Sequence, residues 1–234
     1  MKIAVMQPYF FPYIGYFQLI NAVDEFVIYD NIEFTKKGWI NRNRILVDGQ
    51  DAYITLPLKK DSDYLDIRER FLADSWPHER KAMLNRITAA YRKAPNFGLV
   101  YPLIEKCVLF DDNNLFRFIL NSLSLVNEYL QIRTPVMVSS TISINHELKA
   151  EKKVLALCKA RNATEYVNPI GGVKLYRKDD FRHEGIDLHF IKSSDIIYKQ
   201  FDHDFVPWLS IIDVMMFNRG EEIQQYLISS YTLI

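Results

Sequence analysis

Ile3-Ala4-Val5-Met6-Gln7-Pro8-Tyr9-Phe10-Phe11-Pro12-Tyr13-Ile14-Gly15-Tyr16-Phe17-Gln18-Leu19-Ile20 reads as a strand, a tight aromatic loop and a helix. Ile3 to Met6 is a short apolar run suited to a buried strand. Pro8 ends it, because proline has no N–H for a sheet ladder, and Pro12 keeps the next residues extended. From there Ile14, Phe17, Leu19, Ile20 and Val23 fall at helical spacing. A helix that starts just past the carboxyl end of a strand points unpaired N–H groups and partial positive charge at the crevice. Gly15 at that point lets a ligand or another backbone come close. The alternative is that the aromatics and prolines pack a domain edge.

Working outward, Glu25-Phe26-Val27-Ile28-Tyr29-Asp30 is a second buried strand ending in a carboxylate. Strand, helix and strand at this spacing favour a right-handed unit with parallel strands. Asp30 then emerges beside the Gln7–Tyr13 loop, at the end where open α/β sheets hold ligands. A second set of βα units is expected late in the chain. It comprises a helix over 147–162, a strand over 163–167, the loop Asn168-Pro169-Ile170-Gly171-Gly172, a short helix over 175–183 and a strand over 188–191. Gly171 and Gly172 either face the first loop across one crevice or form a plain turn.

Between these halves, residues 44–58 suggest a hairpin with a loop somewhat longer than minimal, and 67–72 a further strand. Helical stripes then run over 78–94, 96–110 and 113–132. No Pro/Gly/Ser-rich linker sets them apart. The expected fold is therefore one α/β domain over 1–234, built on a mostly parallel doubly wound, Rossmann-like sheet. A helical lobe over about 76–132 packs on that sheet. Residues 205–218, opened by Pro207, are expected to form one buried helix. Asp213 inside it needs a partner: a ligand hydroxyl, Arg42 or Arg44, or a helix N-terminus.

Composition narrows the function. Lysine plus arginine number 29, as do aspartate plus glutamate, so the formal net charge is zero. This argues against nucleic-acid binding through bulk electrostatics. The two cysteines, Cys107 and Cys158, have no metal-type spacing, and buried free thiols suit a reducing cytoplasm. No signal peptide or membrane-length apolar run is seen, so a cytoplasmic location is expected. A Walker lysine loop, a G-x-S-x-G elbow and a G-x-G-x-x-G fingerprint are all absent.

The most informative polar run is Lys36-Lys37-Gly38-Trp39-Ile40-Asn41-Arg42-Asn43-Arg44. If it is extended, alternation puts Asn41 and Asn43 on one face and Arg42 and Arg44 on the other. Two guanidinium groups on one side suit a phosphate or carboxylate; the alternative is a solvated edge strand.

That run, the first loop, Ala90-Tyr91-Arg92-Lys93-Ala94-Pro95-Asn96-Phe97, the Asn168–Gly172 loop and Leu209-Ser210-Ile211-Ile212-Asp213 together resemble the WbqC-like family, in the family's order and over nearly the whole chain. The resemblance implies an association with O-antigen and other surface-polysaccharide gene clusters. It also implies transfer of an acyl or aminoacyl group to the amine of a nucleotide-activated amino sugar; the cofactor is left unknown and a homodimer open. On this basis Gln7, Tyr9, Tyr13, Gly15 and Tyr16 form the substrate loop, with Gly171 and Gly172 opposite. Lys37, Arg42 and Arg44 hold diphosphate or carboxylate. Asp30 or Asp213 is the base, and Asn41 and Asn43 are donors to the tetrahedral oxyanion. Met83 stands where relatives are expected to carry histidine. The Tyr13-Ile14-Gly15-Tyr16 stretch is also similar to the H-x-G-H loop of HUP-like nucleotidyltransferases, with tyrosine at both histidine positions. Nucleotidyl transfer, or nucleotide-sugar binding without catalysis, are the alternatives.

Overall fold

Strand β1 (Lys2–Met6) occupies the middle of a six-stranded sheet because both of its faces are apolar. Ala4 faces a core of 47 buried residues, while Ile3 and Val5 face a second core of 14. Strand β2 (Glu25–Ile28) divides the same way, with Phe26 and Ile28 on the larger core and Val27 on the smaller. The structure, a computed structural model, describes residues 1–234.

Helix α1 (Ile14–Asn21) makes the first crossover, and β1 and β2 pair in parallel. A hairpin follows, β3 (Arg42–Val47) with β4 (Gln50–Thr55). Its Asp48–Gly49 turn is the two-residue minimum, tighter than the sequence suggested. Residues 67–69 form a 3₁₀ turn rather than a strand, closed by reciprocal bonds between Asp66 and Glu69. Helices α2 (Trp76–Tyr91), α3 (Phe97–Val108) and α4 (Leu115–Tyr129) come next. Their buried residues belong to the same 47-residue core as Ala4, Phe26 and Ile28, so no solvent layer separates the helices from the sheet.

Strand β5 (Val136–Val138) pairs in parallel with β2. Helix α5 (Ala150–Ala160), strand β6 (Glu165–Pro169), helix α6 (Lys178–His183) and strand β7 (Asp187–Ser193) build the second half. Helices α5 and α6 bury Val154, Leu157 and Phe181 in the smaller core, on the face opposite α1. Helices α7 (Ile211–Phe217) and α8 (Gly220–Ser229) return to the larger core, and β8 (Tyr231–Leu233) adds an antiparallel edge. The strand order β5-β2-β1-β6-β7-β8 is that of a doubly wound sheet, reversing direction between β1 and β6. No helix is long and apolar enough to cross a membrane.

Two long-range polar clamps fix this arrangement. Gln18, fully buried in α1, donates to the carbonyls of Tyr226 and Ser230 at the end of α8. Arg161 closes on the buried Glu25 carboxylate through two 2.7 Å bonds, tying the end of α5 to the start of β2. Replacing Arg161 by Met leaves Glu25 unpaired and is expected to cost about 2–3 kcal/mol. Urea denaturation of R161M and of the double variant E25Q/R161M checks this: the double variant recovers part of the loss if the unpaired charge is the cause.

Candidate functional site

The loop after β1 is held by side chains from distant segments. Asn43, buried in β3, donates to the carbonyls of Phe10 at 3.1 Å and Phe11 at 2.9 Å, while its Oδ1 accepts from the Arg44 N–H at 2.8 Å. Ser210 Oγ donates to the Phe11 carbonyl at 2.8 Å, and the Ile211 N–H to that of Pro12 at 2.8 Å. Both polar atoms of the Asn43 amide are therefore engaged, and Asn43 acts as a clamp rather than as an oxyanion donor. Tyr16 is likewise core: it is buried, and its hydroxyl donates to the Gln7 carbonyl. Gly15 makes room for its own loop and not for a ligand, since a Cβ there would lie 2.4 Å from the Tyr13 ring.

Around this loop lie three cavities in a row. The first, about 370 Å3, opens where β1 and β6 part. Gln7, Tyr9 and Tyr29 face Asn168, Gly171 and Gly172 across it, and no charged side chain lines it. Gly172 is required by Asn168, whose Nδ2 would lie 1.7 Å from an added Cβ; Gly171 has open space around it. The second cavity, about 160 Å3, is walled by Tyr9, Pro12, Tyr13, Trp39, Asn43, Arg44 and Trp208. The third, about 280 Å3, is mostly apolar, with Ile196, Ile197, Phe205, Leu209 and Val214 in its lining and Asp195 among its few polar groups. Tyr9 borders the first two, and the edge-on pair of Tyr13 and Trp208, 5.9 Å apart, borders the last two.

Burial raises the pKa of Tyr9 and Tyr13, so these phenols keep a proton that is available to donate.

The two arginines do share a face of β3, as alternation predicts, with Arg42 4.7 Å over the Tyr53 ring and Arg44 5.7 Å over that of Trp39. They do not share a cavity. Arg44 borders the aromatic one, steadied by Asp51 at 3.1 Å and the Trp208 carbonyl at 3.2 Å. Arg42 lines a separate basic hollow with Lys37 and Asn41, and Asn41 donates to the Leu56 carbonyl at 2.9 Å.

Neither candidate base is open to a substrate. Asp30 is buried, with its carboxylate accepting from Ser139 Oγ at 2.9 Å, the Ser140 N–H at 2.9 Å and Ser140 Oγ at 2.6 Å. Asp213 is fully buried and accepts from Tyr91, Tyr198 and Gln200 at 2.8, 2.7 and 2.6 Å. Burial outweighs these bonds and holds its carboxyl above the usual carboxylate range. Asp213 lies in the first turn of α7, and its partners are two phenols and an amide from outside that helix, not an arginine. The helix itself starts later than the sequence suggested: Ser210 caps it by accepting from the Ile212 N–H, and residues 205–209 lie before it as a loop that reaches φ +60° at Trp208.

Several residues escaped the sequence. Trp208, half exposed between two cavities, and Asp195 are the main ones. Ser210-x-x-Asp213 before an apolar run is a helix-start signal that would have freed 205–209 from the helix. Lys153, buried against Tyr29, donates to the Asn31 carbonyl at 2.7 Å and backs the wall of the first cavity. Met83 packs in the core and borders none of these cavities.

If Asp213 is structural, Asp213→Ala strands two phenols and an amide and lowers unfolding stability by about 3 kcal/mol, measured in urea. Unchanged stability in this variant would refute the structural role of Asp213.

The model of the WbqC-like protein family matches residues 7–225. An uncharacterized protein of Mycobacterium tuberculosis is 31% identical over 232 residues, which is 97% of each chain. No solved structure matches. Since the match takes in the clamped loop, the hairpin, Asn168–Gly172 and Asp213 together, the chain belongs to the WbqC-like protein family.

Proposed function

We propose that the chain binds a nucleotide-activated amino sugar and transfers an acyl or aminoacyl group to its amine, a step that fits surface-polysaccharide biosynthesis. One observation carries the proposal: the Tyr13–Trp208 pair is a wall common to two mostly apolar cavities, of which one alone is bordered by a guanidinium group, that of Arg44. On one side Tyr9, Trp39 and Arg44 offer ring faces and guanidinium donors to a sugar. On the other, an apolar lining suits an acyl chain. Such sites are mostly apolar, with a few placed polar groups that set orientation.

Transfer would join the sugar amine to the acyl carbonyl of an activated donor such as a thioester. The C–N bond forms, the C–S bond breaks, and the proton lost by nitrogen goes to a base while the thiolate departs. Asp195 is the only carboxylate lining the three cavities, and it is exposed. We assign it the base, in place of Asp30 and Asp213. Protonated Tyr13, which borders both cavities, is a donor for the tetrahedral oxyanion.

A second reading, nucleotide-sugar binding without transfer, is favoured by the saturation of both buried aspartates. Titration calorimetry with uridine- and thymidine-diphosphate amino sugars, together with mass spectrometry of acylated product, separates the two. Trp208→Ala removes the common wall and is expected to weaken sugar-nucleotide binding about tenfold. Asp195→Asn is expected to abolish product while leaving binding intact. An unchanged isotherm for W208A would remove the sugar from this cavity, and binding with no product from the intact protein would leave the non-catalytic reading.

A further inference from the structure

The hollow beside the hairpin, about 330 Å3, gathers charge that the chain as a whole does not have. Lys36, Lys37, Arg42, Lys59, Lys60 and Arg70 line it against only Asp61 and Asp63, in a protein of zero formal net charge. Asp63 is paired with Lys36 at 2.7 Å, and Lys59 pairs outward with Asp74 at 2.7 Å. Lys37, Arg42, Lys60 and Arg70 have no carboxylate within ion-pair distance.

The two guanidinium groups are the informative members. Arg70 is only 5% exposed; it donates to the carbonyls of Ser62 at 2.7 Å and Lys59 at 3.4 Å, lies 5.1 Å from the centre of the Phe34 ring, and keeps a buried Nε with no partner. Arg42 donates through Nε to the Gly38 carbonyl at 3.1 Å and through one terminal nitrogen to that of Lys37, while its other terminal nitrogen has no protein partner. Carbonyl oxygens fix the direction of a guanidinium without neutralising it. A buried cation lacking a counter-ion is costly, and further cations around it add to that cost. What completes such a site is a polyanion whose oxygens point several ways, because the cations arrive from four separate stretches of chain.

We propose that this hollow, separate from the cavity that Arg44 borders, is a binding site for a phosphorylated anion. A phosphoryl group meets the requirement better than a carboxylate, having more charge and three acceptor oxygens.

The test is titration calorimetry of the intact protein with inorganic pyrophosphate at low and high salt. Lys37→Asn/Lys60→Ala serves as the variant: both side chains are exposed, and asparagine tolerates the positive φ at 37. Pyrophosphate is expected to bind the natural protein and to lose about tenfold or more in the double variant, with weakening at high salt. Absence of binding to the natural protein, or equal affinity in the double variant, overturns the site. A parallel titration with the nucleotide sugar identifies the source of the phosphoryl group. Loss of both ligands in the double variant assigns the hollow to the diphosphate of the nucleotide sugar, and loss of pyrophosphate alone assigns it to a separate phosphorylated molecule. Both support the site. Failure of every nucleotide sugar to bind the natural protein, with pyrophosphate still bound, would sink the sugar reading and keep this one.

Discussion

Everything around the three cavities depends on how the carbonyls of Phe10, Phe11 and Pro12 are bonded. Phe11 sits at φ +41°, a conformation that L-residues adopt at a cost of about 1–3 kcal/mol. Two donors converge on its carbonyl, Asn43 Nδ2 and Ser210 Oγ, from 32 and 199 residues away. The strained turn therefore exists only once the hairpin and the start of α7 have docked. Tyr9 and Tyr13, which form cavity walls, project from the same short loop. Site and tertiary fold are in that sense one structure: the loop has no local reason to take this shape.

The two cores explain why the cavities lie where they do. Alternation along β1 and β2 sends Ala4, Phe26 and Ile28 one way and Ile3, Val5 and Val27 the other. With helices covering both faces, the sheet has little free surface except at the ends of its strands. Connections from β1 and β6 leave toward opposite faces, so the chain itself parts there and a gap opens. The hairpin and the 193–209 segment then extend this gap sideways into the aromatic and apolar cavities.

The sheet was legible in the sequence because apolar alternation and helical stripes record burial directly. Residues 205–209 were not, because the apolar run they open carries no period that separates a cavity lining from a helix face. The candidate site was legible in part. Gln7, Tyr9, Tyr13, Asn43, Arg44 and Gly171–Gly172 border the three cavities, and Lys37, Asn41 and Arg42 the hollow beside the hairpin. Asn43, Asp30 and Asp213 attract notice as polar residues in apolar surroundings, but the sequence does not say which donors or acceptors they meet. Each meets a full set: Phe10 and Phe11 carbonyls, two serines, and two tyrosines with a glutamine. A polar residue in a core is as often the solution to a backbone bonding problem as a reagent. Arg70 escaped for the opposite reason, since a single arginine among charged neighbours gives no sign that its guanidinium is buried.

Arg42 and Arg44 show how little the identity of a side chain fixes its role. They are two residues apart on one strand, and both rest on the Trp39–Tyr53 pair, whose rings stack 6.4 Å apart. Arg44 meets Asp51, which balances its charge and leaves an oriented donor beside an aromatic wall. Arg42 meets only carbonyls, so its charge stays uncompensated and joins that of Lys37, Lys60 and Arg70. An oriented neutral pair suits hydroxyl recognition, whereas an uncompensated cation among others suits an anion. One face of the hairpin thereby carries both a charge-balanced guanidinium and an uncompensated one, each over its own ring and each bordering a different cavity.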